Sequence, residues 1–400
     1  MVEHNGPLVG VRVLDIGNLI AGPMVATLLG DLGAEVIKVE HPVHGDPLRV
    51  FGRLVDGQSL YWKTMGRNKR CITLDLSKPG GQRVLKKLVA VSDILTENFR
   101  AGTLERWGLD WDTLKDCNPD LVIVRTSGFG QSGPYSDRPG FGTLAEAMSG
   151  FSYMTGEPDG PPQLPQFPLA DGMAALVGGL GALAALHHRR NGGGGQWIDN
   201  SLYEPLMRLL ELVNLEYSET GTVRSRTGTR MKDVVPRGSY QTCEPDRWIA
   251  LSGSTPATSR RILHAIGRQD LADDPRLQTN EDRVRHRGLI EDALTEWVGR
   301  HTLQEALATF RAADAAAAPI YNAEDILADP HFRARETHVD VLDPHLGAIR
   351  MQNVMPRLSR TPGRIQHTAR EKGQDNDEVL RDLLGLGSEE IAALSAEGAI

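Results

Sequence analysis

One aspartate stands directly before a long run of small and apolar residues. In the stretch QFPLADGMAALVGGLGALAALHH, residues 166–188, Asp171 is the only acidic residue. A carboxylate at the start of a buried helix loses part of its hydration and faces backbone N–H groups that carry partial positive charge. Two roles fit this group: an N-cap that closes a helix beginning near Gly172, or a reacting group. The stretch by itself leaves both roles open.

Two further groups of residues have the chemistry to bind phosphate. They are Asn68, Lys69 and Arg70, just before a predicted strand, and Asn98, Phe99 and Arg106, after the next one. A loop with two cations and an amide suits phosphate, although a solvated charged turn has the same composition. An aromatic ring beside arginines suits a purine nucleotide. Because loops of neighbouring parallel strands share a ligand-binding edge, the two groups together predict a site for an adenine nucleotide or coenzyme A.

The segment GFGQSG, residues 128–133, has the G-x-G-x-x-G spacing of a dinucleotide-binding turn and follows a predicted strand. In that turn the last glycine leads into a helix whose N-terminus holds the pyrophosphate. Here Pro134 follows at once and Pro139 comes soon after, which disfavours such a helix. An NAD-binding oxidoreductase is therefore only an alternative interpretation.

The overall composition is that of an ordinary globular protein. The 400 residues are 40% apolar and 24% charged, and the formal net charge of −8 gives no sign of nucleic-acid binding. The longest apolar run, residues 172–186, is shorter than the roughly 20 residues that a membrane crossing needs. Three cysteines without a C-x-x-C pair suit reduced thiols, and the 12 histidines lack the spacing of a metal site. The start has no basic and apolar leader, so we expect a cytoplasmic protein without a metal or membrane contact.

Short β-branched runs alternate with helical patterns through the first half of the chain. Strands are predicted at 11–17, 34–40, 70–76, 92–98 and 120–128, and helices at 23–33, 79–91, 102–115 and 172–190. This alternation indicates a largely parallel sheet with right-handed crossovers. The predicted fold class is therefore α/β.

The second half of the chain has a different pattern. A polar, turn-rich segment at 218–238 precedes a predicted β-hairpin at 238–254 and helices at 256–267, 286–299 and 303–313. The tail from about 340 has strand and loop character and ends in an amphipathic helix, DEVLRDLLG. We therefore predict a large domain over residues 1–220, completed by 330–400, and a small domain over 225–325.

Six stretches, in this order, resemble the family III coenzyme A transferases. They are LDIGNLIAGPMVATLLGDLGAEVIKVEHPVHGDPLR, NKRCITLDLSKPGG, ENFRAGTLERWGLDW, RPGFGTLAEAMSG, PLADGMAALVGGLGALAAL and GGGGQWIDNSLYE. This family includes formyl-CoA transferase and carnitine CoA-transferase, and the α-methylacyl-CoA racemases are close relatives. The resemblance covers essentially the whole chain, and together the motifs are highly specific.

The resemblance implies a Rossmann-like large domain, a smaller α+β domain and a homodimer of two interlocked subunits. It implies that CoA moves from an acyl-CoA to a carboxylic acid through an aspartyl-CoA thioester, with no tightly bound cofactor. The family's catalytic aspartate falls on Asp171. The implied CoA contacts fall on Asn68, Lys69, Arg70, Asn98, Phe99 and Arg106, and His41 stands where formyl-CoA transferase has an arginine on the adenine side.

Three residues bear on the choice of substrate and reaction. Ile20 replaces a glutamine that contacts the small acid in formyl-CoA transferase, which argues against oxalate. Phe141 stands where the racemase has a histidine, and its ring cannot transfer protons, so CoA transfer is favoured over a racemase-like epimerase. Phe167 and the prolines before it predict an apolar or larger acyl pocket. Succinyl-CoA or a similar short acyl-CoA is the expected donor, while carnitine-like, aromatic and dicarboxylic acceptors stay open.

Overall fold

The computed structural model describes residues 6–400, which fold into two compact units. The first unit contains the chain up to Phe151 together with Pro165–Leu215 and Ala334–Ile400, and the second contains Ser152–Leu164 and Glu216–Arg333. The predicted boundaries assigned residues 152–164 to the large domain. Hydrogen bonds tie this segment to the second unit instead, from Gly228 N to Gly156 O at 3.0 Å and from Arg226 Nη1 to Tyr153 O at 3.0 Å.

The strands form one parallel sheet and three small antiparallel sheets. They are β1 (Arg12–Asp15), β2 (Glu35–Glu40), β3 (Leu54–Val55), β4 (Gln58–Ser59), β5 (Lys69–Thr73), β6 (Ile94–Glu97), β7 (Val122–Ser127), β8 (Gln196–Ser201), β9 (Arg237–Gln241), β10 (Trp248–Ser252), β11 (Ala317–Pro319), β12 (His338–Asp343) and β13 (Gly347–Gln352). The six-stranded parallel sheet has the order β5-β2-β1-β6-β7-β8. The prediction of an α/β fold with a mainly parallel sheet is confirmed.

Helices cover both faces of the parallel sheet. In the first part of the chain they are α1 (Ala21–Asp31), α2 (Leu60–Met65), α3 (Pro79–Ala90), α4 (Thr103–Arg106), α5 (Trp111–Cys117), α6 (Gly142–Met148), α7 (Phe151–Met154), α8 (Leu169–His188), α9 (Glu204–Leu209) and α10 (Glu211–Thr220). After these come α11 (Pro256–Ala265), α12 (Gln269–Ala272), α13 (Asn280–Arg285), α14 (Arg287–Val298), α15 (Leu303–Ala312), α16 (Ala323–Ala328), α17 (Pro330–Ala334) and α18 (Ser388–Glu397).

Successive residues of the central strands enter different hydrophobic clusters, because side chains in a strand alternate between its two faces. Leu14 of β1 and Leu95 of β6 pack in the cluster that contains residues of α3 and α5. Their neighbours Val13 and Ile94 pack in the cluster that contains residues of α1 and α8. Burial on both faces explains why these strands appear in the sequence as nearly continuous apolar runs.

The helix predicted at 102–115 is in fact two short helices, α4 and α5. Gly108, between them, has φ +65°, a left-handed conformation that glycine adopts without the cost a side chain imposes. Asp110 then starts α5 as its N-cap, because its Oδ1 accepts a hydrogen bond from Thr113 N at 3.0 Å.

α8 is longer than the apolar run in the sequence indicated. It begins at Leu169, and helical turns continue to Gly193, which gives a stretch of 25 residues. A segment of 18 residues within it has a mean hydropathy of 1.7, so the helix is long and apolar enough for a membrane span by length and composition. The expectation that the run is too short is therefore wrong. A core helix meets the same two criteria, and α8 packs against α1, β7 and β8.

The second unit has its own core. β9, β10 and β11 form an antiparallel sheet, and Ile249 and Phe310 pack in one cluster with residues of α11 and α14. The predicted hairpin at 238–254 corresponds to β9 and β10. Capping boxes begin three of its helices, α11, α15 and α16, the second of them at Thr302 and Glu305. The capping boxes of α11 and α15 explain why the helices at 256–267 and 303–313 could be predicted closely.

Candidate active site

A cavity of about 340 Å³ lies at the carboxyl edge of the parallel sheet. The loops that follow β1 and β6 line it with Asn18, Asn98 and Phe99. Phe141, directly before α6, and Asp171, in α8, line it from the helices. Ligands of open parallel sheets bind at this edge. The structure thus brings four of the predicted site residues to one cavity.

Asp171 lies in the first turn of α8 but does not cap it. The helix begins at Leu169, Pro168 holds the N-cap position, and no side chain makes a capping hydrogen bond there. The N-cap interpretation is therefore wrong. The half-buried carboxylate of Asp171 lines the cavity instead.

Gly142, the first residue of α6, leaves the space that the Asp171 carboxylate occupies. A Cβ atom on Gly142 would lie 2.2 Å from Asp171 Oδ2, far inside van der Waals contact. The carboxylate therefore lies against the backbone at the start of α6. Backbone N–H groups at a helix start favour negative charge nearby.

Burial and the negative charge of Glu146 raise the pKa of Asp171 to about 6. Glu146 lies on α6, is 3% exposed, and its Oε1 accepts a hydrogen bond from Ala170 N at 3.2 Å. This bond fixes the residue directly before Asp171. The backbone N–H of Asp171 acts in the opposite direction and favours the ionised carboxylate. At pH 7 the group is mostly ionised yet more basic than an ordinary aspartate, which suits a nucleophile.

The side-chain amide of Asn98 holds a neighbouring loop. Asn98 Nδ2 donates to Asn18 O at 2.8 Å, and Asn98 Oδ1 accepts a hydrogen bond from Asn18 N at 2.7 Å. The reciprocal pair joins the loops that follow β1 and β6. Asn98 therefore shapes the wall of the cavity in addition to lining it.

Phe99 and Arg106 lie at the same edge, after β6. Phe99 N donates to Glu97 Oε2 at 2.7 Å, and the Phe99 ring packs edge-on against Trp107 with 5.2 Å between the ring centroids. Arg106 Nη2 donates to Thr103 Oγ1 at 2.9 Å. Within residues 6–400 the Arg106 guanidinium has no carboxylate partner, so it is available to an anionic ligand.

The backbones of Asn68, Lys69 and Arg70 lie at the opposite, amino edge of the sheet, because β5 begins at Lys69 and runs parallel to β2. The Lys69 ammonium nevertheless reaches Asp15, the last residue of β1. The sheet order also places β2 and β1 between β5 and β6. The expectation that the two phosphate-binding groups lie on neighbouring strands at one edge is therefore wrong. Asn68 and Arg70 line a separate cavity of about 480 Å³.

Each of these three residues has an acidic partner within the protein. The partners are Asp31 for Asn68 at 2.9 Å, Asp15 for Lys69 at 2.9 Å and Glu35 for Arg70 at 3.0 Å. Lys69 is also only 1% exposed, so its ammonium cannot meet a phosphate without leaving Asp15. The implied CoA contact of Lys69 has no support in this geometry.

Three other predicted site residues are not among the described residues that line the Asp171 cavity. His41 follows β2 at the carboxyl edge and stacks on His44, with ring centroids 4.8 Å apart. Ile20 directly precedes α1 and packs against the buried cluster that contains Leu48. Phe167 precedes α8 and is 61% exposed. These three remain predictions for the substrate site.

Sequence reasoning missed Gly142 and Glu146. The two residues stand four apart in GTLAEAM, and residues at this spacing share one face of a helix. The available signal was a glycine and a glutamate on one helix face, in a motif near the aspartate that the resemblance implies to be catalytic. The structure adds what the spacing cannot show, namely that this face meets the start of α8.

The other chemistries considered for this chain lack support in the structure. β7 ends at Ser127 and the next helix begins only at Gly142, so the GFGQSG loop does not open a helix as a dinucleotide-binding turn does. Gln131 N, within that loop, donates to Asp199 Oδ1 at 3.0 Å. Across residues 6–400 no group of three His, Cys, Asp or Glu side chains could hold a metal ion.

Comparison with known proteins places the chain in one family. Residues 8–376 match CoA-transferase family III. The chain is 44% identical to the succinyl-CoA--D-citramalate CoA-transferase of Chloroflexus aurantiacus over 98% of both chains. It is 41% identical to the beta subunit of the succinyl-CoA--L-malate CoA-transferase of the same organism, again over 98% of both chains.

A solved structure agrees with this assignment. A CAIB/BAIF family protein from Brucella suis is 30% identical and superimposes with a TM-score of 0.83, covering 95% of this chain and 100% of that one. Proteins of this kind use CoA thioesters as substrates. The chain is therefore an enzyme and belongs to CoA-transferase family III.

Proposed function

We propose that this enzyme moves CoA from succinyl-CoA to a dicarboxylic acid, with Asp171 as the nucleophile. The observation that carries the proposal is the half-buried Asp171 carboxylate, whose pKa is raised to about 6, in the cavity at the carboxyl edge of the sheet. The family resemblance supplies the expected intermediate, an aspartyl-CoA thioester on this carboxylate.

The reaction consists of two similar half-reactions. An Asp171 oxygen attacks the thioester carbonyl carbon of succinyl-CoA, the C–S bond breaks, and a mixed anhydride and CoA thiolate form. The thiolate then attacks the Asp171 carbonyl carbon, which releases succinate and leaves aspartyl-CoA. The acceptor carboxylate repeats these steps in reverse order, so that the acceptor leaves as its CoA thioester and Asp171 is a carboxylate again. Each step exchanges one acyl bond for a similar one.

The names of the relatives support dicarboxylic substrates. Two are named for succinyl-CoA with citramalate or malate, and a third, 32% identical over 96% of this chain, is a succinate--glutarate CoA-transferase of Agrobacterium fabrum. The cavity offers matching chemistry, because Arg100 and Arg138 line it. In the described part of the chain neither guanidinium pairs with a carboxylate, and that of Arg138 stacks 3.6 Å above the Tyr135 ring. Such groups suit the second carboxylate of a dicarboxylic acid.

Epimerisation fits the cavity less well. A racemase needs a proton-transferring group on each face of the substrate carbon. Phe141 lines the cavity close to the starts of α6 and α8, and its ring carries no titratable proton. We therefore favour CoA transfer over the racemase-like alternative.

We also propose that the enzyme is a homodimer. On α8 four apolar side chains remain exposed: Leu176 (42%), Val177 (40%), Leu180 (68%) and Leu183 (37%). Their spacing places them along one stripe of the helix, and contiguous apolar surface of this kind marks contact with another protein. The family resemblance suggests interlocked subunits. Mixing differently tagged dimers under native conditions tests this, because interlocked subunits should not exchange without unfolding.

We further propose a cytoplasmic location. Cys71, Cys117 and Cys243 are all free thiols in the structure, which suits a reducing compartment. Fractionation of cells that produce the protein, followed by detection of the chain in the soluble cytoplasmic fraction, tests this location. Recovery outside the cytoplasm would contradict it.

Chemical trapping tests the nucleophile directly. The enzyme is incubated with succinyl-CoA and no acceptor and then treated with hydroxylamine, which attacks an aspartyl thioester. Peptide mass spectrometry should find the modification on Asp171. Asp171→Asn should give no adduct and lose several orders of magnitude in transfer rate while it still binds CoA.

The matched control is Glu146→Gln, which changes the neighbouring carboxyl and keeps the acceptor for Ala170 N. It should still form the adduct on Asp171. An adduct confined to Glu146, or robust transfer by Asp171→Asn, would contradict the proposed nucleophile.

A further inference from the structure

Four charged side chains lie together beneath the loop between β1 and α1, and none of them reaches solvent to more than a trace. We name them the buried quartet: Asp15, Lys38, Asp46 and Lys69. Lys38 Nζ lies 2.9 Å from Asp46 Oδ2 and 3.8 Å from Asp15 Oδ1. Lys69 Nζ lies 2.9 Å from Asp15 Oδ2. The quartet contains two cations and two anions and is therefore neutral overall.

The buried quartet holds the loop formed by residues 16–20. Lys38 Nζ donates a hydrogen bond to Gly17 O. Gly17 N donates to Asp15 Oδ1 at 3.1 Å, and Leu19 N donates to Asp46 Oδ1 at 3.2 Å. Three hydrogen bonds thus join the backbone of Gly17 and Leu19 to members of the quartet.

The same loop forms one wall of the Asp171 cavity. Asn18 and Leu19 line that cavity, and Asn18 is joined to Asn98 on the opposite loop by the reciprocal amide pair. Leu19 has φ +61°, in the left-handed region that a branched side chain disfavours. A conformation of this kind persists only where its surroundings hold it. The three hydrogen bonds that join the quartet to Gly17 and Leu19 hold Leu19 in this conformation.

A neutral cluster of buried charges adds little to the free energy of folding by itself. The desolvation of each ion is expensive, and apolar side chains of similar volume often stabilise a fold as well or better. Burial opposes the charge on Lys38, but the carboxylates of Asp15, Asp46 and Glu40 outweigh it and raise the pKa of Lys38 above its usual value. Lys38 therefore keeps its charge and its hydrogen bond to Gly17 across the working pH range.

We propose that the buried quartet is a positioning device for CoA transfer, in which Lys38 and Asp46 act through the loop 16–20 on the wall of the Asp171 cavity. Neither side chain touches the substrate. Their contribution is to fix Asn18 and Leu19 in one arrangement, so that the acyl carbonyl meets the Asp171 carboxylate at the required distance. Misplacement of a reacting group by about 1 Å costs about 10²-fold in rate.

The chain offers a matched control for this proposal. Lys63 and Asp343 form another buried ion pair in the same unit, with 3.0 Å between Lys63 Nζ and Asp343 Oδ2 and side-chain exposures of 1% and 0%. This pair joins α2 to β12 and makes no contact with the loop 16–20 among the hydrogen bonds of residues 6–400. A loss that comes only from breaking a buried ion pair should therefore appear equally in Lys38→Met and Lys63→Met.

The experiment combines steady-state transfer from succinyl-CoA with amide hydrogen exchange of the peptide that spans residues 16–20. For Lys38→Met we expect exchange in this peptide to become at least about tenfold faster, and kcat to fall by about 10²-fold. For Lys63→Met we expect both quantities to stay within about twofold of the parent enzyme, after correction for the folded fraction.

A double variant separates positioning from stability. Lys38→Met combined with Asp46→Asn removes one charge of each sign and keeps an oxygen acceptor for Leu19 N. It should regain much of the melting temperature that Lys38→Met loses, because no unpaired charge stays buried, yet kcat should stay low. Because the double variant leaves the quartet neutral, it can be used for the same measurements if Lys38→Met does not fold.

Two outcomes would overturn the proposal. One is unchanged loop exchange and kcat in the Lys38 variants, and the other is an equal loss of kcat in Lys63→Met. The inference rests on the proposed function only for its turnover measurement. If the parent enzyme transferred no CoA between the proposed substrates, that result would count against those substrates, while hydrogen exchange would still decide on the role of the quartet.

Discussion

Asp171 Oδ2 lies so close to Gly142 that no side chain can stand between them: a Cβ atom on Gly142 would come within 2.2 Å of this oxygen. The contact joins the start of α6 to the first turn of α8. Since α6 also carries Glu146, whose carboxylate accepts a hydrogen bond from Ala170 N, one short helix controls both the position and the charge environment of the Asp171 carboxylate.

Gly142→Ala should therefore reduce transfer by moving the Asp171 carboxylate. We expect kcat to fall by about 10²-fold, since even a displacement of about 1 Å disturbs the alignment of nucleophile and carbonyl. Gly288→Ala is the matched control, because Gly288 is exposed in α14 and the nearest atom to an added Cβ, Asp292 Oδ2, would lie 4.0 Å away. It should leave kcat unchanged. Steady-state kinetics of both variants decide the point, and equal rates for Gly142→Ala and the parent enzyme would refute the role of this contact.

The rate of transfer should follow the ionisation of Asp171. Its pKa is raised to about 6, so log(kcat/KM) should rise with pH below about 6 and level off above it, because only the carboxylate attacks. Glu146→Gln removes the negative charge that helps to raise this pKa, so the rising limb should move to lower pH. Profiles of kcat/KM from pH 4.5 to 8 measure the rising limb of the parent enzyme and that of Glu146→Gln. A limb that stayed in place or moved upward in Glu146→Gln would show that Glu146 does not act on Asp171 in this way.

The ionised Asp171 carboxylate should also lower the free energy of unfolding at neutral pH. A carboxyl group whose pKa is higher in the folded state than in the unfolded chain binds protons more tightly when folded, so its contribution to stability falls as pH rises from about 4 to about 6. Asp171→Asn should therefore exceed the parent enzyme in unfolding free energy by about 1–3 kcal/mol at pH 8 and show little gain near pH 4. Urea unfolding at the two pH values measures the difference.

An exposed aspartate provides the control for that comparison. Asp112 lies in the first turn of α5 on the surface, where neutralisation removes a favourable interaction with the helix start. Asp112→Asn should therefore be no more stable than the parent enzyme at pH 8. A stability gain of the same size in both variants would point to a general charge effect of this acidic chain rather than to the cavity.

Local patterns predicted much of the large domain, and the places where they failed have physical reasons. β1, β2 and β7 lie within the predicted strands because β-branched runs between turn residues leave few alternatives. The last helix, α18 at Ser388–Glu397, was missed. Its last turn ends at Gly398 in a left-handed conformation, a signal that lies at the very end of the chain, after the helical turn at Glu378–Leu383.

The lining of the Asp171 cavity was also predicted only in part, because local patterns mark single residues and not the contacts between distant elements. Asp171 and Asn98 both line the cavity, and motifs and strand ends mark them in the sequence. The expectation that Lys69 and Asn98 lie on neighbouring strands at one edge failed, because the motif identifies a residue type, whereas the position of its backbone depends on whether it precedes or follows its strand. Contacts such as Gly142 with Asp171 join elements far apart in the chain, so local patterns do not show them.

We expect the phosphates of CoA to bind at the carboxyl edge of the sheet and not at the amino edge. Arg106 lies after β6 at the carboxyl edge, where the Asp171 cavity is, and has no carboxylate partner in the described chain. Arg106→Ala should raise the KM for succinyl-CoA by about tenfold or more, which corresponds to about 1.5–3 kcal/mol of lost charge-assisted bonding, while kcat changes little.

Arg70→Ala separates the geometry of this structure from the motif alone. Arg70 is the second residue of β5, near the amino edge, and pairs with Glu35 at 3.0 Å and Glu378 at 3.5 Å. These partners already occupy its guanidinium, and the Asp171 cavity lies at the other end of the parallel strands. The KM for succinyl-CoA in Arg70→Ala should therefore stay within about twofold of the parent value, because the variant loses only a partly exposed ion pair. If Arg70→Ala instead raised KM as much as Arg106→Ala, CoA would have to reach the amino edge, and the assignment of its phosphates to the carboxyl edge would be wrong.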